Sequence, residues 1–87
     1  MNKTSNLILI FSNKDLTLLY KIVEDHIIYD ISLINNDKEL IFLTNKEIII
    51  YHLTNKNIYE FSYIINNKSK YLYENYDKIY PYNKILS

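Results

Sequence analysis

The stretch IYDISLINNDKELIFLTNKEIIIYHLTNKNIYEFSYII, residues 28–65, decides the fold class, because it contains four short apolar runs separated by three polar turns. In the first run, residues 28–34, the apolar Tyr29, Ile31 and Leu33 alternate with polar residues. A period of two is typical of a strand with one buried and one wetter face. The four runs together predict an all-β fold with an antiparallel four-stranded sheet.

The other three strands are predicted at residues 39–44, 47–53 and 58–65. Residues 48–50 are three consecutive isoleucines, and such a β-branched run is typical of a strand covered on both faces. Residues 35–38, Asn-Asn-Asp-Lys, predict a turn, because Asn and Asp tolerate left-handed backbone angles where glycine is absent. The sequence therefore predicts tight connections throughout this sheet.

In the fourth strand, Tyr59, Phe61 and Tyr63 alternate with Glu60 and Ser62. This pattern places the three aromatic side chains on one face of an outer strand. Aromatic residues are enriched where proteins contact one another. We predict these three residues as an interaction surface.

Two further strands are predicted upstream, at residues 7–11 and 16–23, joined by a polar loop at residues 12–15. A helix is the alternative for the short apolar runs at residues 16–23 and 48–53. This segment resembles the last two strands of the sheet at a spacing of 42 residues. The aligned pairs are Ile8 with Ile50, Phe11 with Leu53, Ser12 with Thr54, Leu16 with Ile58, Leu19 with Phe61 and Ile22 with Ile64. A spacing near forty residues with four strands per unit is typical of a propeller blade.

At Asp25-His26 and through residues 28–54, the chain resembles a WD-repeat β-propeller blade. His26 stands at the position of the family histidine, Asn45 lies near its structural aspartate, and Tyr51-His52 replaces its Trp-Asp. In that family, His, Asp, Trp and a Ser or Thr form a hydrogen-bond network that ties strands together. The resemblance implies a structural hydrogen-bond network of His26, Asn45 and Tyr51.

The resemblance also implies a domain organisation. Residues 1–66 form WD-repeat-like blades, with residues 7–23 as the last two strands of one blade and residues 27–65 as one complete blade. Residues 67–87 are a Tyr- and Lys-rich extension or a degenerate partial blade, and a short helix is a third possibility. Pro81 argues against a central strand there.

Propellers close with roughly four to eight blades, so about two blades predict an incomplete β-propeller fragment. Three options remain open: a piece of a longer propeller, a chain that pairs its open edges with another chain, or a small antiparallel sheet that mimics a blade. Since the first Met precedes a half blade, a truncated or divergent reading frame is one expectation.

Composition narrows the function. The chain lacks Gly, Ala, Arg, Cys, Gln and Trp, and its ten tyrosines accompany many Ile, Asn and Lys residues, as expected from an A+T-rich genome. Without cysteine there is no disulfide, zinc thiolate site or thiol nucleophile. Ten lysines balance ten acidic residues, so the net charge favours neither nucleic acid nor an anionic membrane.

His26 and His52 are the only imidazoles, and a structural hydrogen bond or simple exposure accounts for them better than a metal or acid-base site. The sequence has no Gly-rich phosphate loop and no nucleophile elbow. We therefore predict no catalytic, cofactor-binding or metal-binding residues and no enzymatic activity. No run resembles a signal peptide or a membrane span, which favours a cytoplasmic or nuclear location and no membrane partner.

These features favour a non-catalytic protein-interaction or scaffold module, with protein partners or self-association through open sheet edges. The alternative is a small nucleic-acid-binding protein, because residues 68–84 interleave Lys with Tyr as single-strand binders do. Glu74 and Asp77 dilute that charge. A nucleic-acid partner is therefore less favoured than a protein.

Overall fold

The computed structural model describes residues 6–81, which contain six β-strands and one α-helix. The strands are β1 (Asn6–Phe11), β2 (Leu18–Glu24), β3 (Asp30–Ile34), β4 (Glu39–Leu43), β5 (Ile48–Leu53) and β6 (Tyr59–Ile65), followed by α1 (Lys68–Ile79). β1 and β2 pair as an antiparallel hairpin, and β3 to β6 form a four-stranded antiparallel sheet in chain order. The predicted β class and all six strands are confirmed.

The segment after β6 is helical, which is one of the three possibilities that the sequence left open. Asn67 begins α1 by accepting a hydrogen bond of 3.1 Å from the backbone N–H of Lys70 on its side-chain oxygen, as Asn does at helix N-termini. At 12 residues, this helix lacks the length and apolar character needed to cross a membrane, and residues 6–81 contain no other. The parts of the domain assignment at residues 1–5 and 82–87 lie outside the described residues.

Three turns share one local sequence, a Ser or Thr followed by Asn and Lys. In each turn, the hydroxyl oxygen of the first residue accepts a hydrogen bond from the backbone N–H of the lysine. The pairs are Ser12 with Lys14 at 3.1 Å, Thr44 with Lys46 at 3.2 Å and Thr54 with Lys56 at 3.3 Å. The side chain thus replaces a backbone partner and closes a tight turn without glycine.

Left-handed backbone angles are also adopted without glycine. Asn35, Asn36 and Asp37 in the β3–β4 turn have φ of 55°, 58° and 63°, and Asn57 has φ of 61°. These are the residue types that tolerate this region, so the predicted turn is confirmed. Leu16, with φ of 61°, is the exception, because its Cβ makes the same conformation costly.

The four-stranded sheet is the middle of three layers. On one face, the hairpin closes a core formed by Ile8, Ile22, Leu40, Phe42, Ile49 and Tyr51. On the other face, α1 closes a core formed by Ile34, Ile41, Leu43, Ile48, Ile50 and Ile79. The three isoleucines at residues 48–50 are 0% exposed, which confirms that β5 is covered on both faces.

The prediction that Tyr59, Phe61 and Tyr63 lie on one face of β6 is wrong, because the alternation changes after Phe61. Phe61 pairs with Tyr51, but Tyr63 pairs with Ile50, so β6 advances two residues where β5 advances one. The extra residue is a β-bulge, which reverses the alternation of side chains. Phe61 therefore faces the hairpin side with Tyr51, whereas Tyr63 faces the helix side with Ile50.

Candidate functional site: a buried carboxylate and an open hairpin

The hairpin is joined to the sheet by the carboxylate of Glu24, the last residue of β2. Its side chain points inward because it continues the alternation of Tyr20 and Ile22, and the residue is only 6% exposed. One oxygen, Oε1, accepts a hydrogen bond of 2.8 Å from the Tyr51 hydroxyl. The other, Oε2, lies 2.7 Å from His26 Nδ1 and accepts the His26 backbone N–H at 3.1 Å. A buried carboxylate is thus hydrogen-bonded on both oxygens.

The three partners shift one another's protonation. Burial raises the pKa of Glu24, but the hydrogen bonds from His26 and Tyr51 outweigh burial, so this pKa lies below its ordinary value of 4.5. The Glu24 carboxylate raises the pKa of His26 above its ordinary value of 6.5 against the opposing effect of burial. Burial, with the nearby Glu24 carboxylate, raises the pKa of the Tyr51 phenol. At neutral pH the network therefore contains a charged carboxylate beside a neutral phenol.

This network contains two of the three residues expected from the resemblance, His26 and Tyr51, with Glu24 between them. Asn45 is exposed in the β4–β5 turn, and the preceding Thr44 organises that turn by accepting the backbone N–H of Glu47 at 2.9 Å. The sequence did contain a signal for Glu24, because it is the one charged residue at an inward position of β2. The resemblance drew attention to Asn45 instead.

Neither of the two cavities described below is lined by a member of the network. Within residues 6–81, no group of three or more His, Asp and Glu side chains is placed to hold a metal ion. What the network does is connect the end of β2 to the middle of the sheet.

The outer face of the hairpin is apolar and open. We define the hairpin outer face as Leu7, Leu9, Lys21 and Val23, which pair as Leu7 with Val23 and Leu9 with Lys21. Leu7, Leu9 and Val23 are 56%, 42% and 63% exposed, whereas the inward side chains between them are buried. Three apolar side chains and one lysine thus face away from the core, and Phe11, Leu18 and Leu19 add exposed apolar surface at the turn end.

The hairpin covers the middle of the sheet and leaves its β3 side open. Ile31 and Leu33 on β3 pair with Phe42 and Leu40 and so share the hairpin side of the sheet. Yet Ile31 and Leu33 are 43% and 38% exposed, while Leu40 and Phe42 are at most 1% exposed. β1 therefore lies above β4 and leaves an apolar strip along β3, which we call the β3 strip.

Two cavities lie on the hairpin side of the sheet, one at each end of the β3 strip. One, of about 460 Å³, is lined by residues 6–8 at the start of β1 and residues 28–31 around the start of β3. The other, of about 420 Å³, is lined by residues 10–14, Leu33 and Asp37, with further side chains from β2, β5 and β6. The start of β1 lies near the start of β3, and the end of β1 lies near the end of β3. The two strands therefore run in the same direction.

The aromatic residues predicted on β6 have different surroundings. Tyr59 is half-buried, packs edge-on against Tyr20 with ring centroids 4.6 Å apart, and donates its hydroxyl to the Asp37 carbonyl. Phe61 and Tyr63 remain about half exposed, on opposite faces. The three residues therefore do not form one surface.

Several Lys and Tyr side chains of the C-terminal segment have structural contacts. Lys68 donates to the Thr44 carbonyl at 2.5 Å. The Tyr80 hydroxyl donates to Asp30 at 2.5 Å, which together with burial raises the pKa of Tyr80 to about 12. Burial chiefly raises the pKa of Tyr71 to about 12. These three side chains contribute to packing of the helix, and residues 82–84 of the predicted nucleic-acid stretch lie outside the described residues.

Comparisons with protein-family models, with curated proteins and with solved structures find no match.

Proposed function

We propose that this protein is a non-catalytic protein-interaction module that contacts its partner through the β1–β2 hairpin. The observation that supports this proposal is the exposure of the hairpin outer face, where Leu7, Leu9 and Val23 are 42–63% exposed. Contiguous apolar surface of this kind is typical of protein-binding sites. Lys21 in the same face supplies one charge around which a partner can be oriented.

The WD-repeat likeness supports the same function. A four-stranded antiparallel sheet in chain order, with a hairpin stacked on one face, is compatible with one blade and half of its neighbour. Helix α1 covers the opposite face, where a following blade would stack. We propose a blade-like fold whose hairpin side is the open one, and blade-like proteins serve mainly as binding platforms.

The proposal is tested by affinity capture with the full-length tagged chain and quantitative mass spectrometry. The double variant Leu9→Lys/Val23→Lys places two further cations on the hairpin outer face and leaves the buried side chains unchanged. The matched control is Ile58→Lys, an exposed apolar residue in the β5–β6 turn. We expect specific proteins that bind the wild type and the control but not the double variant.

Circular dichroism and thermal unfolding show whether the double variant keeps its fold. If the folded double variant retains the same proteins as the wild type, the hairpin outer face is not the binding surface and the proposal fails.

A further inference from the structure

We propose that an extended strand of a partner protein, with apolar side chains at alternate positions, pairs with the free edge of β1 and lies over the β3 strip. This inference rests on the proposed protein-binding function and names the chemistry of the partner. It concerns the free edge of β1 and the β3 strip on the sheet below, whereas the hairpin outer face is the side of the hairpin that is turned away from the sheet.

The edge of β1 is open. Within residues 6–81, β1 pairs with β2 and with no other strand. Its six residues span about 20 Å at roughly 3.3 Å per residue. Unpaired backbone N–H and C=O groups along such an edge are a template for an added strand.

The β3 strip supplies the surface under an added strand. Ile31 and Leu33 are two residues apart and about 40% exposed, although β4 beside them is fully covered. Side chains at alternate positions of an extended peptide have the same spacing. An added strand would therefore bury these two residues as β1 buries Leu40 and Phe42.

The two cavities mark the two ends of the groove that an added strand would fill. They lie at the two ends of the β3 strip, and their volumes are about 460 and 420 Å³. Asn6 is among the residues that line one cavity, and Lys14 and Asp37 are among those that line the other. A strand with apolar side chains at alternate positions and polar side chains between them matches the apolar strip and these polar ends.

A single peptide strand fits this groove better than a second copy of the chain. In a two-fold antiparallel pairing of β1 with β1, the four-stranded sheets of both copies would lie at the same level. Because β3 extends beyond β1 in each copy, these sheets would overlap. A strand without an attached sheet avoids that overlap. The geometry therefore favours a peptide-like segment.

The test is fluorescence anisotropy of a labelled, terminally blocked eight-residue peptide of alternating valine and lysine, titrated with the full-length chain. Two further peptides carry N-methyl groups on all valines or on all lysines, which removes the hydrogen-bond donors of one strand edge or the other. We expect the unmodified peptide to bind saturably. One of the two N-methylated peptides should bind at least about ten-fold more weakly, and the other should bind nearly as well as the unmodified peptide.

The matching protein variant is Leu33→Lys, with Ile58→Lys as the exposed apolar control. We expect Leu33→Lys to weaken peptide binding by at least about ten-fold, because it places a desolvated charge under the strand, and Ile58→Lys to leave it unchanged. The N-methylated peptides test the same claim without altering the protein's fold.

Three results would overturn the inference: no peptide binding, equal binding of both N-methylated peptides, or a folded Leu33→Lys chain that binds as the wild type does. A dimer in sedimentation experiments that Leu33→Lys disrupts would assign the groove to a second copy and would also overturn it. Failure of this inference can be distinguished from failure of the proposed function. The affinity-capture experiment with Leu9→Lys/Val23→Lys tests the proposed function and does not use the peptide.

Discussion

The Tyr51 hydroxyl on β5 donates a 2.8 Å hydrogen bond to the carboxylate of Glu24, which lies 27 residues earlier at the end of β2. This contact joins the hairpin to the middle of the sheet. It holds β2 above β5 and so helps to place β1 above β4. The open β3 strip is a consequence of that position.

Tyr51→Phe removes the hydroxyl and leaves a buried, charged carboxylate with one donor fewer. We expect the free energy of unfolding to fall by about 1–3 kcal/mol, the cost of an unsatisfied buried polar group. Urea unfolding followed by circular dichroism measures this change. Tyr73→Phe, at an 88% exposed position, is the control and should change stability by less than about 0.5 kcal/mol. Equal effects of the two substitutions would contradict the role of the Glu24 network.

The Glu24 and His26 pair should give stability a defined pH dependence. The pKa of Glu24 lies below its ordinary 4.5, so its stabilisation is complete above pH 4.5 and is lost as pH falls through the lowered value. The pKa of His26 lies above its ordinary 6.5, so its stabilisation is complete below pH 6.5 and is lost as pH rises through the raised value. The contribution of the pair is therefore largest between pH 4.5 and 6.5.

The check is a series of urea unfolding curves across pH 4 to 9 for the wild type, His26→Gln and His52→Gln. We expect His26→Gln to remove the fall in stability above pH 6.5. The control His52→Gln, at an exposed position on β5, should keep that fall. A His26→Gln profile parallel to that of the wild type would show that the pair does not act in this way.

Helix α1 should be required for a stable sheet, because it covers one of the two faces. Ile79 is 4% exposed and belongs to the core between the helix and the sheet. Ile79→Ala should lower the free energy of unfolding by about 2–5 kcal/mol through lost burial and a cavity. The control Tyr73→Ala removes a large side chain from the exposed side of the same helix and should have a much smaller effect in the same unfolding experiment.

Leu16 offers a stabilising substitution. Its φ of 61° is costly for a residue with a Cβ, and its side chain is 76% exposed, so little packing is lost on its removal. Leu16→Gly should raise the free energy of unfolding by up to about 1 kcal/mol. Leu19→Gly, at an exposed position within β2, is the matched control and should lower stability, because glycine weakens a strand interior. Thermal unfolding of both variants decides the matter, and destabilisation by Leu16→Gly would contradict the expectation.

Much of the strand pattern could be read from the residues alone. Alternation over residues 28–34 and the three isoleucines at residues 48–50 located β3 and β5, because side-chain direction in a strand follows directly from position. The β6 face failed at Phe61 and Tyr63, since a bulge depends on how two strands fit together and leaves no clear mark in either strand. The acceptor role of Glu24 was missed for a similar reason, because its donor Tyr51 lies on a distant strand.

The sequence by itself determined the six strands and the turns between them, because alternation and the Ser/Thr-Asn-Lys turns act over a few neighbouring residues. Only the tertiary structure decided which faces are covered. The hairpin packs over β4 and β5, α1 packs against the opposite face, and the β3 strip stays open. These outcomes depend on contacts between surfaces distant along the chain, where packing and buried hydrogen bonds select one arrangement among several that the local pattern allows.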